Sequence, residues 1–560
     1  MIPYGISDYK ELKEKGYYYI DKTRFIGLIE RQPPYLFLIR PRRFGKSLLV
    51  SMLEAYYDSA GKDHFQDYFG ATDIGSAPTS SANSYLTLKF DFSGISPEQA
   101  LSHFNAYCNA VLHTFVDKYQ LPIELKHDSA LSNLSTLFIR GQLEKLQIYV
   151  LVDEYDNFVN ELLVKDEQQY LAMVTGTEAV YKQFFKTLKA GTSGVDAPVK
   201  KIFVTGVSPL AMFDLTSGFN IGTNITTDAA FNDLLGVTEQ EATEMMEHFH
   251  LTGKKDLIFD RIRFWYNGYR FNKNIGHSIF NTDMILYYFN SLVQDGQEPE
   301  DLIDVNVRSD YSKIRFLIQT DRKLNGNFSV LNGLLATGKV DAISIKNSFS
   351  AFEIRDRDNF VSLLFYLGLI SIEKYENLAY QLRIPNQTIR KILGEFLQKS
   401  LEENVGLDIR LNVFSEHLRQ FASQGKPDVF HYLGAELDRN SKIRDYISGE
   451  SFVKGFLTAY LSLNPFYEVS TEEERTKGFV DIYLQPITKE VTYGAAIELK
   501  YIKRNELTGA VLEAKISEGK AQLDKYSTPP NILKILLVFH GWELVYVERT
   551  GGHLEDRSHS

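Results

Sequence analysis

The sequence predicts an α/β protein, with a parallel sheet in its first part and a second, smaller α/β domain in its last part. One apolar run, Tyr35–Ile39, leads into a basic turn and a Gly-Lys-Ser tripeptide that opens a segment with helical spacing. A second apolar run, Leu146–Val152, ends in two acids, as an interior strand of a parallel sheet can. Two strand-like segments further on, Gly478–Leu484 and Gly494–Tyr501, indicate the second domain.

Length and composition set the scale of the protein. The chain has 560 residues, of which 44% are hydrophobic and 24% charged, so its core is large enough for several domains. We expect three parts: a first domain at residues 1–235, a mainly helical region at 236–440 and a last domain at 441–560.

Charge, cysteine content and hydropathy narrow the class of protein. The net charge of −11 argues against a surface that coats nucleic acid without specificity, so polyanion binding requires a local basic groove. The single cysteine, Cys108, excludes a disulfide framework and a cysteine-rich zinc site, and its expected role is a small buried side chain in a helix. The N-terminus lacks the pattern of a signal peptide, and no apolar run approaches the ~20 residues that span a bilayer. We therefore expect a cytoplasmic protein without a membrane contact.

The turn after the first apolar run has residues suited to phosphate binding. Gly45 lets the backbone curl so that its N–H groups, and those of the following helix, face phosphate oxygens. Lys46 can reach the outer phosphates as a point charge, and the Ser47 hydroxyl can ligate Mg²⁺. This is the strand, loop and helix context of a Walker A motif, although Arg40 stands where the general pattern has its first glycine. The alternative is a basic turn before a core helix.

A pair of acids follows the second apolar run. Asp153 and Glu154 come at the carboxyl end of the predicted strand, the edge at which open α/β sheets bind ligands. Asp153 can hold Mg²⁺ through its water shell, and Glu154 can orient or deprotonate an attacking water. For Asp156 we predict a helix cap rather than a part in the chemistry.

A third apolar strand, Lys201–Leu210, carries polar groups near its end. Thr205 and Ser208 either sense the terminal phosphate of a nucleotide or shape the turn, and both interpretations stay open. The aromatic cluster Trp265–Phe271 is predicted to be a packing loop, with an adenine contact as the alternative.

Several polar residues are spaced as helix caps. The preferred interpretation of the segment 17–23 is that a polar side chain caps a short helix, and the alternative is that the segment forms a wall for a nucleotide base. Two further pairs are spaced as capping boxes. The residues concerned are Asp21 or Thr23, then Ser96 with Gln99, and Thr238 with Glu241.

Five segments together resemble the bacterial AAA-ATPase-like family of P-loop proteins. They are Tyr19–Thr23, Arg40–Ser47, Val152–Asp156, Val204–Ser208 and Trp265–Phe271. In that family an Arg-Pro-Arg-Arg run stands where other Walker A loops have glycine, so Arg40 departs only from the general pattern. The resemblance implies an AAA-like parallel sheet with a helical lid and Lys46 and Glu154 as catalytic residues. Arg42 or Arg43 would stabilise the transition state, in cis or across the interface of a homo-oligomer. The expected ATP and Mg²⁺ site consists of Arg40, Arg42, Arg43, Phe44, Gly45, Lys46, Ser47, Leu48, Asp153 and Thr205.

The middle of the chain is predicted to be mainly helical. Within it, Phe360–Leu369 indicates a helix, Ile370–Tyr375 and Tyr380–Asn386 indicate strands, and a further helix begins at Gln387. This order suits a winged-helix-like lid or linker. Since no basic recognition helix accompanies it, we expect a structural rather than a DNA-reading role.

The last part of the chain places acids and a lysine on neighbouring strands. Glu498 and Lys500 are two residues apart in one strand and therefore share a face, on which Asp481 of the other strand can converge. Two carboxylates and a backbone carbonyl suit Mg²⁺ or Mn²⁺, which would polarise a phosphate and supply hydroxide. Lys500 would orient that water or offset the developing charge. The alternative is a solvated charge pair.

This Asp followed by Glu-x-Lys resembles the core of the PD-(D/E)XK nucleases, a domain that AAA-ATPase-like proteins commonly carry at the C-terminus. The resemblance implies that Glu450 is the first acid, so that Glu450, Asp481 and Glu498 serve the metal and, with Lys500, are catalytic. Val480 stands where the family name has proline. Gln522 and Tyr526, on the helix after the core strands, would contact substrate or metal.

We therefore expect an ATP-binding and ATP-hydrolysing protein coupled to a metal-dependent phosphodiesterase that acts on nucleic acid, with DNA preferred, in defence or DNA processing. The alternative is a nucleotide-controlled signalling or scaffold protein whose last domain binds nucleic acid or a partner without cleaving it. A weaker alternative is phosphoryl transfer to a small molecule, against which Glu154 beside Asp153 favours hydrolysis.

Overall fold

The structure is a computed structural model that describes residues 1–176, 179–210, 212, 221–309, 326–407, 409–439, 449–475 and 478–550. The chain forms two compact units. The N-terminal unit consists of Met1–Leu317 and Ala342–Tyr380, and the C-terminal unit of Ile318–Asp341 and Gln381–Ser560. The division at 235 and 440 stays a prediction, and the second of these boundaries lies outside the described residues.

A five-stranded parallel sheet forms the centre of the N-terminal unit. Its strands are β1 (Tyr35–Ile39), β2 (Leu86–Asp91), β3 (Ile148–Asp153), β4 (Val199–Gly206) and β5 (Thr223–Asn224). They follow the order β2-β3-β4-β1-β5, and every neighbouring pair is parallel. Every residue of β3 is buried, which explains its unbroken apolar run. In this order β4 separates β1 from β3, so the ends of these three strands meet at one edge.

The N-terminal unit also contains many α-helices, among which Lys46–Tyr57 and Ala100–Lys118 contact this sheet. Their bounds are Tyr9–Glu14, Ile26–Glu30, Lys46–Tyr57, Phe65–Phe69, Asp73–Ser76, Ala100–Lys118, Ala130–Leu143, Asn157–Lys165, Glu167–Tyr170, Val180–Ala190, Glu239–His248, Lys255–Tyr266, Thr282–Gln294 and Arg357–Tyr366. Much of the core is aromatic. Phe92, for example, lies against the rings of Phe104, Tyr181 and Phe184, with centroids 5.6 to 5.7 Å apart. Among the described residues, no helix is both long enough and apolar enough to span a membrane.

One of the predicted caps is confirmed. The capping box of Thr238 and Glu241 is complete at the start of the helix Glu239–His248. Asp21 accepts the N–H of Thr23 at 2.8 Å, but the N-cap residue of the short 3₁₀ helix is Lys22, and it makes no side-chain cap.

Two other predictions are wrong, namely the capping box of Ser96 and Gln99 and the start of the loop at Trp265. Ser96 Oγ accepts the nearby N–H of Glu98, while Gln99 has a left-handed backbone (φ 55°), and the helix begins only at Ala100. Local turn bonding has therefore displaced the cap. Trp265 and Tyr266 still belong to a helix, since the loop begins at Asn267.

Three short strands fall in residues 339–383. They are β6 (Lys339–Ala342), β7 (Ser371–Glu376) and β8 (Ala379–Arg383). The predicted order of helix, strand, strand and helix is confirmed, because Arg357–Tyr366 precedes β7 and a helix from Gln387 follows β8. The winged-helix-like lid stays a prediction.

The C-terminal unit contains a mixed five-stranded sheet. Its strands are β9 (Tyr467–Arg475), β10 (Gly478–Pro486), β11 (Gly494–Ile502), β12 (Ile532–His540) and β13 (Glu543–Thr550), in the order β13-β12-β11-β10-β9. Only β11 and β12 are parallel, and the helix Gly509–Leu523 connects them. The other helices of this unit are Gly326–Thr337, Gln387–Val405, Leu411–Gln424, Asp428–Arg439 and Glu450–Ser462.

Candidate nucleotide and metal sites

The basic turn lies between β1 and the helix Lys46–Tyr57, at the carboxyl edge of the parallel sheet. Gly45 has φ 93°, a conformation that glycine adopts without strain, and Arg43 also has a positive φ of 67°. The turn is thus tightly wound just before the helix begins. The first N–H groups of this helix are the kind of donors that bind phosphate.

Lys46 connects this turn to the acids after β3. Its side chain is 4% exposed, and Nζ donates to the carbonyl of Pro41 at 3.1 Å. The same Nζ lies 4.0 Å from Oε1 of Glu154. The structure therefore brings the Gly-Lys-Ser turn and the Asp-Glu pair together, although about a hundred residues separate them in the sequence.

Asp153 accepts hydrogen bonds from neighbouring residues through one of its two carboxylate oxygens. Oδ1 accepts the hydroxyl of Thr205 at 2.5 Å and the N–H of Glu154 at 3.0 Å. Within the described part of the chain, Oδ2 has no hydrogen-bond partner. Thr205 is completely buried, so its hydroxyl orients Asp153 and does not reach outward. Ser208 Oγ accepts the N–H of Leu210, as expected for a residue that shapes the turn.

Glu154 has an unusual backbone and environment. Its φ is 53°, in the left-handed region that residues other than glycine seldom adopt. Burial raises the pKa of the Glu154 carboxyl, and the nearby charge of Lys46 opposes that rise. Its side chain still borders the cleft described below.

Asp156 corrects one of our expectations. It precedes the helix Asn157–Lys165, but its side chain caps none of the N–H groups of that helix. Its two oxygens instead accept the N–H groups of Val207 at 3.0 Å and Ser208 at 2.6 Å. The carboxylate therefore ties the segment after β3 to the segment after β4, a contact that only the strand order makes possible.

The four residues Arg40, Arg42, Arg43 and Phe44 do not act alike. Arg40 is completely buried, donates to the carbonyls of Thr226 and Phe231, and stacks on the ring of Phe271 at 3.9 Å. Burial lowers the pKa of Arg40 to about 9. Phe44 is buried too, edge-on to Tyr269 at 5.0 Å. Both side chains are packed inside the fold, where they anchor the turn.

The other two arginines border an open cleft. Arg42 donates to Oδ1 of Asn157 at 3.0 Å, and Arg43 lies 3.8 Å from the carboxylate of Asp283. The cleft has a volume of about 460 Å³ and is lined by Lys46, Ser47, Leu48 and Glu154 among others.

An apolar pocket adjoins this cleft and shares part of its lining. Leu48 and Thr282 border both cavities, and Met52 and Leu235 border only the pocket. Tyr18, Tyr19 and Ile20 of the N-terminal segment form another wall of the pocket. The segment 17–23 therefore lines a cavity beside the basic turn in addition to starting a helix.

The C-terminal unit aligns three acids across three adjacent strands. The β10–β11 register pairs Ile482 with Ile497, which places Asp481 opposite Glu498. On the other side, Glu472 lies beside Asp481, between two residue pairs of the β9–β10 ladder. Asp481 also accepts the N–H of Leu499 through Oδ2 at 2.9 Å. We call Glu472, Asp481 and Glu498 the acid row.

Every oxygen of the two central acids already accepts a hydrogen bond. Oδ1 of Asp481 accepts from Nζ of Lys454 at 2.8 Å, in addition to the bond from Leu499. Oε1 of Glu498 accepts from Lys500 at 2.9 Å, and Oε2 from the hydroxyl of Tyr526 at 2.8 Å. Burial, followed by the charge of Asp481, raises the pKa of Glu498.

The carboxylate oxygens of these acids suit a divalent cation, but the side chains are not arranged as a complete coordination site. Carboxylate oxygens suit Mg²⁺ or Mn²⁺, and each oxygen keeps a second lone pair. Among the residues that the structure describes, no group of three His, Cys, Asp or Glu side chains could hold a metal ion. Glu450 is exposed at the start of its helix, and burial and then the charge of Asp481 raise its pKa. An entering ion must therefore compete with the donors already bound.

Sequence reasoning missed Lys454 and Glu472. Lys454 is four residues after Glu450 in a helix, so the two share a face, and this spacing was the available signal. Glu472 required the strand register. Tyr526 was expected at the site and lies there; its single hydroxyl hydrogen is shared between Oε2 of Glu498 and the carbonyl of Phe479, which is 2.7 Å from the hydroxyl. Oε1 of Gln522 is buried and has no hydrogen-bond partner in the described part of the chain.

Comparison with known proteins finds a family match in each of the two units. Residues 3–216 match the AAA-ATPase-like family, described as "Predicted AAA-ATPase", and residues 448–549 match the PD-(D/E)XK nuclease superfamily. An Azotobacter chroococcum mcd 1 protein, described as "Uncharacterized protein in vnfD 5′ region", is 26% identical over 541 residues, which cover 94% of this chain and 93% of the relative.

Two solved structures show a distant likeness. The Aeropyrum pernix ORC2 protein (ADPNP-ADP complexes) is 11% identical, with a TM-score of 0.33, over 70% of this chain and 93% of that one. Cdc6p from Pyrobaculum aerophilum is 10% identical, with a TM-score of 0.24, over 72% and 97%. The family matches, together with the parallel and the mixed sheet, show that the chain carries an AAA-ATPase-like domain at residues 3–216 and a PD-(D/E)XK nuclease-superfamily domain at residues 448–549.

Proposed function

We propose that the chain binds and hydrolyses ATP at the cleft beside the basic turn and couples this to metal-dependent cleavage of nucleic acid at the acid row. One observation supports the proposal most: Nζ of Lys46 lies 4.0 Å from Glu154, so a turn suited to phosphate lies against an acid that could activate water. The PD-(D/E)XK match supports the second activity.

In the ATPase reaction the chain's own residues bind and orient the triphosphate. The N–H groups of the turn and of the helix start donate hydrogen bonds to phosphate oxygens. Lys46 gives up its hydrogen bond to the carbonyl of Pro41 and binds the outer phosphates. Ser47 and Asp153 would hold Mg²⁺, which neutralises phosphate charge when bound. Glu154 orients the attacking water and takes its proton. Arg42 and Arg43 border the cleft and are the candidates for offsetting the charge that develops.

The apolar pocket beside the cleft is our candidate for the base of the nucleotide. It continues from the phosphate-binding turn, since Gly45 and Leu48 line both cavities. Tyr18 and Tyr19 supply aromatic surface to its lining, and Met52 supplies apolar surface. Most ligand sites combine an apolar cavity of this kind with a few polar groups.

At the acid row the residues act on a phosphodiester. Asp481 and Glu498, with Glu450 nearby, would hold a divalent cation, which would polarise the phosphate and activate water when bound. Lys500 places its charge beside Glu498 and orients the attacking water. Tyr526 fixes the other oxygen of Glu498, and Gln522 offers a buried carbonyl without a partner among the described residues. We propose DNA as the substrate, in the bacterial cytoplasm, for defence or DNA processing.

The proposal is tested by measuring ATP hydrolysis and DNA cleavage in parallel, with Mg²⁺ or Mn²⁺. We expect Lys46→Ala and Glu154→Gln to abolish phosphate release and to change the rate of cleavage, because the activities are coupled. Asp481→Asn should abolish cleavage and leave phosphate release intact. Lys520→Ala, which removes an exposed lysine paired with Glu548 outside the acid row, is the matched control. Cleavage at the wild-type rate by Asp481→Asn would overturn the nuclease assignment.

The second candidate is a protein that binds nucleic acid or a partner under nucleotide control without cleaving. The hydrogen bonds that already occupy all four oxygens of Asp481 and Glu498 favour it. It predicts that wild type and Asp481→Asn cut equally little under every nucleotide and metal condition, whereas nucleic acid still binds.

A further inference from the structure

The acid row needs a positive charge at its outer end. Like charges close together on neighbouring strands destabilise a sheet, and Glu472 lies beside Asp481, between two residue pairs of the β9–β10 ladder. Lys500 cannot serve both ends, because its Nζ is bonded to Glu498 and faces Glu518 at 3.4 Å. The pair of Glu472 and Asp481 therefore depends on another cation.

Lys454 supplies that cation from below the sheet. It belongs to the helix Glu450–Ser462, in which every residue after Ser451 is buried, and the lysine itself is only 5% exposed. Its Nζ donates to Glu472 and, at 2.8 Å, to Oδ1 of Asp481. Burial lowers the pKa of Lys454, but the two carboxylates outweigh it, so that the lysine keeps its charge.

The backbone of Glu472 fits this arrangement. Its φ is 51°, a left-handed conformation that is rare in a strand and for any residue with a side chain. Such a conformation persists where the surroundings hold it, and the bond to Lys454 is the contact that the structure shows at its carboxylate. Glu472 remains partly open to solvent, whereas Lys454 is enclosed.

We propose that Lys454 is a positioning residue that takes the place of a divalent cation at Asp481 while the site is at rest, and that Glu472 retains the ammonium group when the ion enters. The inference rests on the proposed metal-dependent function. Ammonium and metal cannot both take Oδ1 of Asp481 at close range, since two cations repel each other there. The exchange of the ammonium group for the cation neither forms nor breaks a covalent bond. It makes metal affinity depend on two residues that contact no metal.

The test is a calorimetric titration of the full chain with Mn²⁺ alone, without nucleotide or DNA. The part of the binding heat that is lost in Asp481→Asn is assigned to the acid row. This comparison excludes Mn²⁺ that binds at the nucleotide site. We expect Lys454→Met to bind Mn²⁺ about tenfold more tightly than wild type, because the competitor is gone. We expect Glu472→Gln to bind more weakly, because Lys454 then stays on Asp481.

The double variant separates the two roles that Glu472 can have. If Glu472 acts by holding Lys454, Glu472→Gln lowers the affinity much less in the Lys454→Met background than in wild type. If the affinity falls there by as much as in wild type, Glu472 acts on the metal directly and the inference is overturned. Lys454→Arg keeps a cation and should restore wild-type affinity, and Lys454→Gln repeats the comparison if Lys454→Met does not fold.

Failure of the inference and failure of the proposed function look different. If wild type binds Mn²⁺ through Asp481 and Lys454→Met binds it equally or more weakly, the proposed exchange is overturned but the metal site is not. Absence of Asp481-dependent Mn²⁺ binding in both proteins overturns the exchange and the metal site together. Binding in Lys454→Met that is undetectable in wild type supports the exchange most strongly.

Discussion

At the scale of single residues, the arginines of the basic turn divide between structure and ligand binding. Arg40 is the buried one, and its guanidinium satisfies the carbonyls of Thr226 and Phe231. We expect Arg40→Ala to lower the stability of the N-terminal unit by about 3 kcal/mol, since it leaves buried carbonyls unpaired and empties a large space. Thermal melting measures this.

The control for that prediction is Arg43→Ala. This side chain is partly exposed, so its loss should change the melting temperature little and weaken nucleotide binding instead. An unchanged melting temperature in Arg40→Ala would show that the guanidinium does not anchor the turn.

Cys108 offers a second prediction at this scale. It is 1% exposed within the helix Ala100–Lys118, and burial raises the pKa of its thiol. Because only the thiolate reacts with alkylating reagents, we expect no labelling by iodoacetamide at neutral pH until the protein is unfolded. Mass spectrometry gives a clear readout, since this is the one cysteine of the sequence. Full labelling of the native protein within minutes would contradict the packing of this helix.

At the scale of elements, the strand ends are joined by side chains. Oδ1 of Asp156 accepts the N–H of Val207, and Oδ2 accepts the N–H of Ser208 and the side-chain amide of Asn160. An asparagine at this position has one acceptor oxygen, and its NH₂ group would face the N–H donor that the second carboxylate oxygen of Asp156 binds. We therefore expect Asp156→Asn to cost about 2 kcal/mol in spite of its similar shape, measured as a lower melting temperature. Asp196→Asn, at an exposed aspartate of the same unit, is the control. Equal melting temperatures of the two variants would refute the tie.

The elements themselves were largely predictable from the sequence, and their side-chain contacts were less so. The apolar runs located β1 and β3 to within two residues, because strands buried on both faces have no polar positions. The role of Asp156 was mistaken because its partners follow β4, some fifty residues away. The helix after Ser96 began later than predicted because a local turn used the serine.

At the scale of the whole molecule, the two chemical sites differ in how readily sequence reveals them. The Gly-Lys-Ser turn and the Asp-Glu pair each follow an apolar strand, so a parallel sheet brings them to one edge. The acid row depends on antiparallel registers and on the helix that carries Lys454, and neither is visible in local spacing. Residue types alone therefore gave Asp481, Glu498 and Lys500 without the partners that control them.

The account depends most on the nucleotide site, and calorimetric titration with Mg²⁺ and a non-hydrolysable ATP analogue tests it directly. We predict one binding event per chain in the wild type, its loss in Lys46→Ala because the phosphate-facing charge is removed, and its retention in Asp481→Asn. Absence of binding by the wild type, or equal binding by Lys46→Ala, would contradict the claim that the basic turn and the acids after β3 form an ATP site.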